Sequence, residues 1–398
     1  MATRRSKLRA ASPPALLLRK VRLDGFKAVK SSGYVELPAL TLFIGRNGSG
    51  KSSFVEALQW LQDCYFDGLL KATDTRFRAY SYLLNRRSSE TYLHLEFESS
   101  DGKPLYYDLT VGKVAGGVDR PIVREEVLNR GKTSAQKTIL RTQKGQRGPV
   151  YRRVAGMNAE RNANKLGIET MSHGHPAIGA LARFVERTVV LRLSPTAMRF
   201  DAPLERAEGK MLDEEGYLLP ALLSSFDDDQ RAWVRQKVSA VLKGLEDVKV
   251  TRTDRAHGYV SATERMRWRG GSKKIDLPNW MLSEGTRRLT ALFALLAARP
   301  KPSLLVVEEI ENGLDPWTLE HVFQELRDAA TGGTQVIVTT HSPFLLDHVR
   351  AEEIIHVRRE HGDSTYRQAS TYDDVVKYEG AVAPGAMFIA GYYEPDGE

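Results

Sequence analysis

The stretch Gly45 to Ser53 reads GRNGSGKSS, which meets the G-x-x-x-x-G-K-S spacing of a phosphate-binding loop at Gly45, Gly50, Lys51 and Ser52. No other feature narrows the possible folds as much. Such a loop needs a buried strand running in and a helix running out, so that backbone N–H groups and the positive end of the helix converge on one anion. Both flanks are present: Leu40 to Ile44 is an apolar strand signal, and Phe54, Leu58, Leu61 and Tyr65 follow at helical spacing. Glycines allow the nest of donors, the Lys51 ammonium neutralises β- and γ-phosphates, and the Ser52 hydroxyl ligates Mg2+. The binding set expected here is Gly45, Asn47, Gly48, Ser49, Gly50, Lys51, Ser52 and Ser53, with ATP and Mg2+ as ligands.

A phosphate loop that supports hydrolysis also needs a carboxylate at the end of a neighbouring buried strand. Leu304 to Val307 is apolar throughout, as a strand covered on both faces must be, and Glu308 and Glu309 follow it. Glu308 is expected to hold Mg2+ through water, and Glu309 to act as general base on the attacking water. A third strand signal, Gln335 to Thr339, leads through Thr340 into His341. The C-terminal ends of parallel strands are where α/β sheets bind ligands, so His341 is placed to contact the γ-phosphate.

Together these residues resemble the ABC-type ATPase heads of the RecF/SMC/OLD-like class, over about Leu17 to Val357. Leu282-Ser283-Glu284-Gly285-Thr286 stands where that family has its signature motif, and Glu309 to Asp315 resembles the run from catalytic acid to D-loop. The resemblance implies a P-loop α/β head with a mixed sheet, an antiparallel β-subdomain and a large helical and basic insertion. It implies a homodimer or higher homo-oligomer in which Ser283 and Gly285 of one head, with Asp315, complete the site on Lys51 of another. His341 becomes the switch histidine. Glu308 departs from the more frequent Asp, which marks a subtype, and no glutamine is placed for the Q-loop. About 40 residues follow Val357 without an Asp-x-Asp motif, so an attached nuclease is not expected.

The implied organisation is a basic tail (1–15), an N-terminal half of the head (16–111), a basic and helical insertion (112–245), a C-terminal half (246–357) and an extension (358–398). In the insertion, Arg130, Lys132, Lys137, Arg141, Lys144, Arg147, Arg152 and Arg153 are not interrupted by an acid. They could track a nucleic-acid backbone or stay solvated. The same two readings apply to Arg252 to Lys274, whose alternation suggests a strand face; His173-x-His175 reads as polar loop. With a net charge of +8 and one cysteine, Cys64, the chain fits a reducing, cytoplasmic compartment. Its longest nearly unbroken apolar run, Leu289 to Ala298, is half of what a bilayer span needs, so no membrane partner is expected. The class implies a nucleotide-driven switch in DNA repair or anti-phage defence, with DNA and a separately encoded effector as partners. A transporter ATPase subunit and an ATP-gated scaffold are the alternatives.

Overall fold

The computed structural model describes residues 15–114, 119–131, 137–145, 148–153, 165–205 and 209–393, with backbone alone for 142–145 and 148–153. Strands β1 (Leu16–Phe26) and β2 (Val29–Glu36) form an antiparallel hairpin, and β3 (Leu40–Ile44) enters a different sheet. Helices α1 (Lys51–Asp67), α2 (Leu69–Phe77) and α3 (Tyr80–Leu83) follow, then β4 (Thr91–Ser99), β5 (Leu105–Lys113), β6 (Pro121–Arg130), β7 (Lys137–Gly145) and β8 (Gly148–Arg153). These complete an antiparallel sheet in the order β2-β1-β4-β5-β6-β7-β8.

Next come α4 (Gly167–Thr170), α5 (Pro176–Glu186), β9 (Thr188–Leu191), β10 (Ala202–Pro203), α6 (Leu219–Ser224) and α7 (Asp228–Val241). Strands β11 (Leu245–Arg252), β12 (His257–Trp268) and β13 (Gly271–Pro278) form a small antiparallel sheet with β10. The chain ends with α8 (Glu284–Ala297), β14 (Leu304–Val307), α9 (Pro316–Thr331), β15 (Gln335–Thr340), α10 (Pro343–Leu346), β16 (Ile354–Glu360), β17 (Asp363–Gln368), α11 (Asp373–Tyr378) and α12 (Pro384–Ile389). The central sheet runs β17-β16-β3-β15-β14-β9, parallel except at β17.

Every residue of β3, β9, β14 and β15 is buried, as a parallel sheet covered on both faces requires. On one face α1 is trapped between this sheet and the antiparallel one. Phe54, Val55, Trp60, Leu61 and Cys64 are all buried there, so α1 has no broad polar face. The other face is covered by α8 and α9, through Leu289, Leu292, Phe293, Val322, Phe323 and Leu326. Because β3, β9, β14 and β15 point the same way, Gly45, Arg192, Glu308 and His341 emerge along one edge.

Residues within 112–245 contribute strands to both large sheets. Strands β6 to β8 extend the N-terminal sheet, and β9 is the edge strand of the central one. Two features hide β6. A register shift at Thr110/Val111 breaks its alternation, and Glu126 is fully buried, where it accepts from Tyr107 Oη at 3.1 Å and from the N–H groups of Gly167 (2.8 Å) and Ile168 (3.1 Å). Of the basic run 130–153, Lys132 and Arg147 lie outside the described residues. Lys144, Arg152 and Arg153 are described by backbone alone.

Candidate nucleotide-binding and hydrolysis site

The loop between β3 and α1 wraps one wall of a cleft of about 830 Å3. Its glycines are needed where the backbone is left-handed or close to a neighbour. Gly50 caps α1 at φ 111°, and a Cβ there would lie 2.0 Å from Ser364 Oγ of β17. Lys51 begins the helix and is buried. Its Nζ donates to the carbonyls of Gly45 (2.7 Å) and Arg46 (3.2 Å) and lies 3.4 Å from His341 Nδ1. Burial lowers the ammonium pKa to about 8, against the opposing charges of Glu309, Glu311 and Glu308. A buried cation at the open end of a helix is suited to an incoming anion. Ser49 Oγ is also buried with no hydrogen-bond partner among the described residues.

Ser52 Oγ donates to Glu308 Oε2 at 2.8 Å, although 256 residues separate them. A hydroxyl and a carboxylate oxygen at that separation can share one cation, so the pair fits Mg2+. Among the described residues no three His, Cys, Asp or Glu side chains gather to hold a metal. An ion here would therefore need phosphate or water to fill its shell. Burial raises the Glu308 pKa even though Arg192 and Ser52 donate to it.

Glu309 lines the cleft beside Asn47, Lys51, Thr339 and His341. It adopts φ 47°, a conformation that side-chain-bearing residues avoid at a cost of about 1–2 kcal/mol. The strain is held by its N–H, which donates to Thr339 Oγ1 at 3.0 Å, while Asn312 Nδ2 donates to Glu309 Oε2 at 2.6 Å. His341 is fixed from behind, its N–H donating to Glu311 Oε1 at 2.6 Å. Glu311 also accepts from Thr340 Oγ1 at 2.9 Å.

Ser283, Gly285 and Asp315 do not line this cleft. Ser283 is the exposed N-cap of α8 and accepts from Thr286 N–H at 3.1 Å; Asp315 caps α9 and accepts from Thr318 N–H at 3.0 Å. A Cβ at Gly285 would lie 2.8 Å from Gly313 O, so the start of α8 packs on the segment leading to Asp315.

Several residues in or behind the cleft carry no motif. Arg192, just after β9, donates to Glu308. The β16–β17 hairpin clamps the loop, with Arg359 Nη1 donating to Gly48 O (3.4 Å) and Tyr366 Oη to Gly50 O (2.8 Å). Lys27, Asn85, Arg86, Arg87 and His361 line the far wall. Asp213 to Leu222 is a brace: Asp213 accepts from the N–H groups of Tyr217 and Leu218, and Glu214 O accepts from Arg192 N–H.

Residues 20–164 match an AAA domain family, and residues 195–347 match an AAA-domain family whose description also names the AbiEii toxin and a Type IV TA system. In two separate stretches, each less than half of its length, the chain is thus similar to AAA-domain proteins. Over 85 residues this chain is 39% identical to the lipoprotein-releasing system ATP-binding protein LolD 1 of Rhodospirillum rubrum, covering 21% of the chain and 37% of the relative. Over 76 residues it is 40% identical to the energy-coupling factor transporter ATP-binding protein EcfA2 of Mycoplasmopsis synoviae, covering 19% and 23%. The aligned parts are thus well under half of either relative. The fold of the chain is that of the Smc head domain solved with the C-terminal domain of ScpA derived from Pyrococcus furiosus. The TM-score is 0.51 at 15% identity, over 88% of this chain and 96% of that one. Among the described residues no helix is long and apolar enough to cross a membrane.

Proposed function

We propose that this ATPase binds ATP with Mg2+ in the cleft, hydrolyses it, and acts as a nucleotide-driven dimeric switch in DNA repair or anti-phage defence, with a separately encoded effector. The observation that carries the reading is convergence: Lys51, Ser52, Glu308, Glu309 and His341 come from three separate strand ends, yet Ser52 lies 2.8 Å from Glu308 and Lys51 3.4 Å from His341. Glycine-loop N–H groups and Lys51 hold the β- and γ-phosphates. Ser52 and Glu308 would hold Mg2+, whose charge offsets that of the phosphate oxygens. Glu309 takes a proton from water as the water oxygen attacks the γ-phosphorus and the bond to the β-phosphate oxygen breaks. His341, anchored by Glu311, donates to a γ-phosphate oxygen.

The dimer is supported by Ser283, Gly285 and Asp315 standing outside their own chain's cleft, at the starts of α8 and α9, where the helix dipoles suit phosphate. DNA contact is supported by the β12–β13 ribbon, where Arg267, Trp268, Arg269 and Lys273 are exposed. The family match that names the AbiEii toxin supports the defence role. The short transporter matches favour a second reading, an ATPase subunit of a membrane transporter. Purification of the tagged protein separates the two: a soluble effector or DNA supports the switch, and a permease supports transport. Phosphate release from ATP by wild type, lost in Lys51→Ala, tests the chemistry.

A further inference from the structure

We infer that Arg192 is the positioning residue for the metal ion that accompanies the nucleotide: it grips Glu308 by one carboxylate oxygen and so presents the other beside Ser52. The inference rests on the nucleotide reading above and adds a residue with no motif.

The geometry is specific. Arg192 Nε donates to Glu308 Oε1 at 2.6 Å, while Ser52 Oγ donates to Oε2 at 2.8 Å. The two donors hold opposite oxygens, so the arginine does not occupy the metal-side position. Both backbones are fixed. Glu308 N–H donates to Leu191 O at 2.9 Å, and Arg192 N–H donates to Glu214 O at 2.8 Å. From its other side the guanidinium is held by Glu56 of α1, Nη1 to Oε1 at 3.3 Å, and Glu56 in turn pairs with Lys27 on the rim of the cleft. The chain Lys27–Glu56–Arg192–Glu308 alternates in charge, so the arginine is balanced between two carboxylates. A planar fork held at two points fixes the rotation of the Glu308 carboxylate, which a flexible ammonium would not. Glu308 has one more methylene than the aspartate frequent at this position and therefore one more torsion to restrain. Outer groups that orient a metal-binding carboxylate typically change metal affinity 10- to 100-fold when removed.

Two roles compete, and they differ in sign. If Arg192 orients Glu308, its loss weakens the metal. If it only places a positive charge near the cation, its loss relieves repulsion and tightens the metal. The test is ATP binding by the full chain, by calorimetry, in EDTA and across a Mg2+ titration. Arg192→Ala is expected to raise the Mg2+ concentration at half effect 10- to 100-fold while ATP affinity in EDTA stays within about twofold. Arg192→Lys is expected to fall between wild type and alanine, and it decides the matter alone if the alanine variant does not fold. A wild-type or lower midpoint, or an equal loss of affinity with and without Mg2+, overturns the role. Absence of Mg2+-dependent ATP binding in wild type overturns the nucleotide reading instead.

Discussion

Lys51 is the residue whose surroundings make least sense without a ligand. It is buried and bonded to carbonyls, and desolvation lowers its pKa to about 8 despite the opposing charges of Glu309, Glu311 and Glu308. Lys51→Ala should lower ATP affinity at least tenfold, read by calorimetry; unchanged affinity would remove the loop from the binding account. Gly50 is a sharper steric test. Both its φ of 111° and the 2.0 Å approach to Ser364 Oγ forbid a side chain, so Gly50→Ala must push β17 or the loop aside. Its expected effect is loss of nucleotide binding together with a lower melting temperature, whereas Gly48→Ala, with open space around it, should affect stability less.

At the scale of elements, the β16–β17 hairpin and the helices behind it buttress the phosphate loop. His356 of β16 stands opposite Ile44 at the end of β3, with its Nδ1 3.0 Å from Tyr372 Oη and with Phe388 and Tyr393 against its ring. Burial, and then Arg358, lower its pKa from 6.5 to about 4. The folded state therefore binds this proton less readily than the unfolded one. The stability from neutral His356 is complete above pH 6.5 and is lost as pH falls toward 4, by on the order of 3 kcal/mol. His356→Phe should flatten that slope in urea unfolding at pH 7 and 4.5; an unaltered slope would place the acid sensitivity elsewhere. The β12–β13 ribbon makes a second prediction. Arg265 and Lys274 are tied to Glu246, which leaves Arg267, Arg269 and Lys273 as the cations to change. Replacing these three by Ser should flatten the salt dependence of DNA binding by up to about 3 units, and an unchanged slope would move any DNA contact elsewhere.

These elements also show what the sequence could and could not convey. Strands β3 and β14 and helices α1, α8 and α9 were legible because each carries a long apolar pattern next to a motif, and the motif residues of the cleft were legible because phosphate chemistry dictates their types. Arg192, Glu56 and Lys27 were not, because an ion-pair chain between segments far apart in sequence leaves no local periodicity. Strand β6 was hidden by a bulge and a buried glutamate, and β17 by its position at a sheet edge, where half-buried Thr365 and Tyr366 beside exposed Arg367 blur alternation.

For the whole molecule, the arrangement of faces matters most. The cleft carries the loop, Glu309 and His341, with Glu308 bonded to Ser52, whereas Ser283 stands outside it; on the proposed reading, a second copy completes each site. Lys51→Ala and Ser283→Arg homodimers should each be inactive, while mixed dimers place both faults in one site and leave the other intact. Mixing is expected to recover up to about half the wild-type sites; no recovery where mixed dimers are shown to form would favour a site complete within one chain. The most direct test of the central claim is phosphate release at saturating ATP and Mg2+ by wild type and Glu309→Gln, with ATP affinity measured on the same preparations. The expected result is a turnover lower by roughly 10²–10⁴ with affinity held within a few-fold, as removal of a general base requires. Wild-type turnover in Glu309→Gln would contradict it.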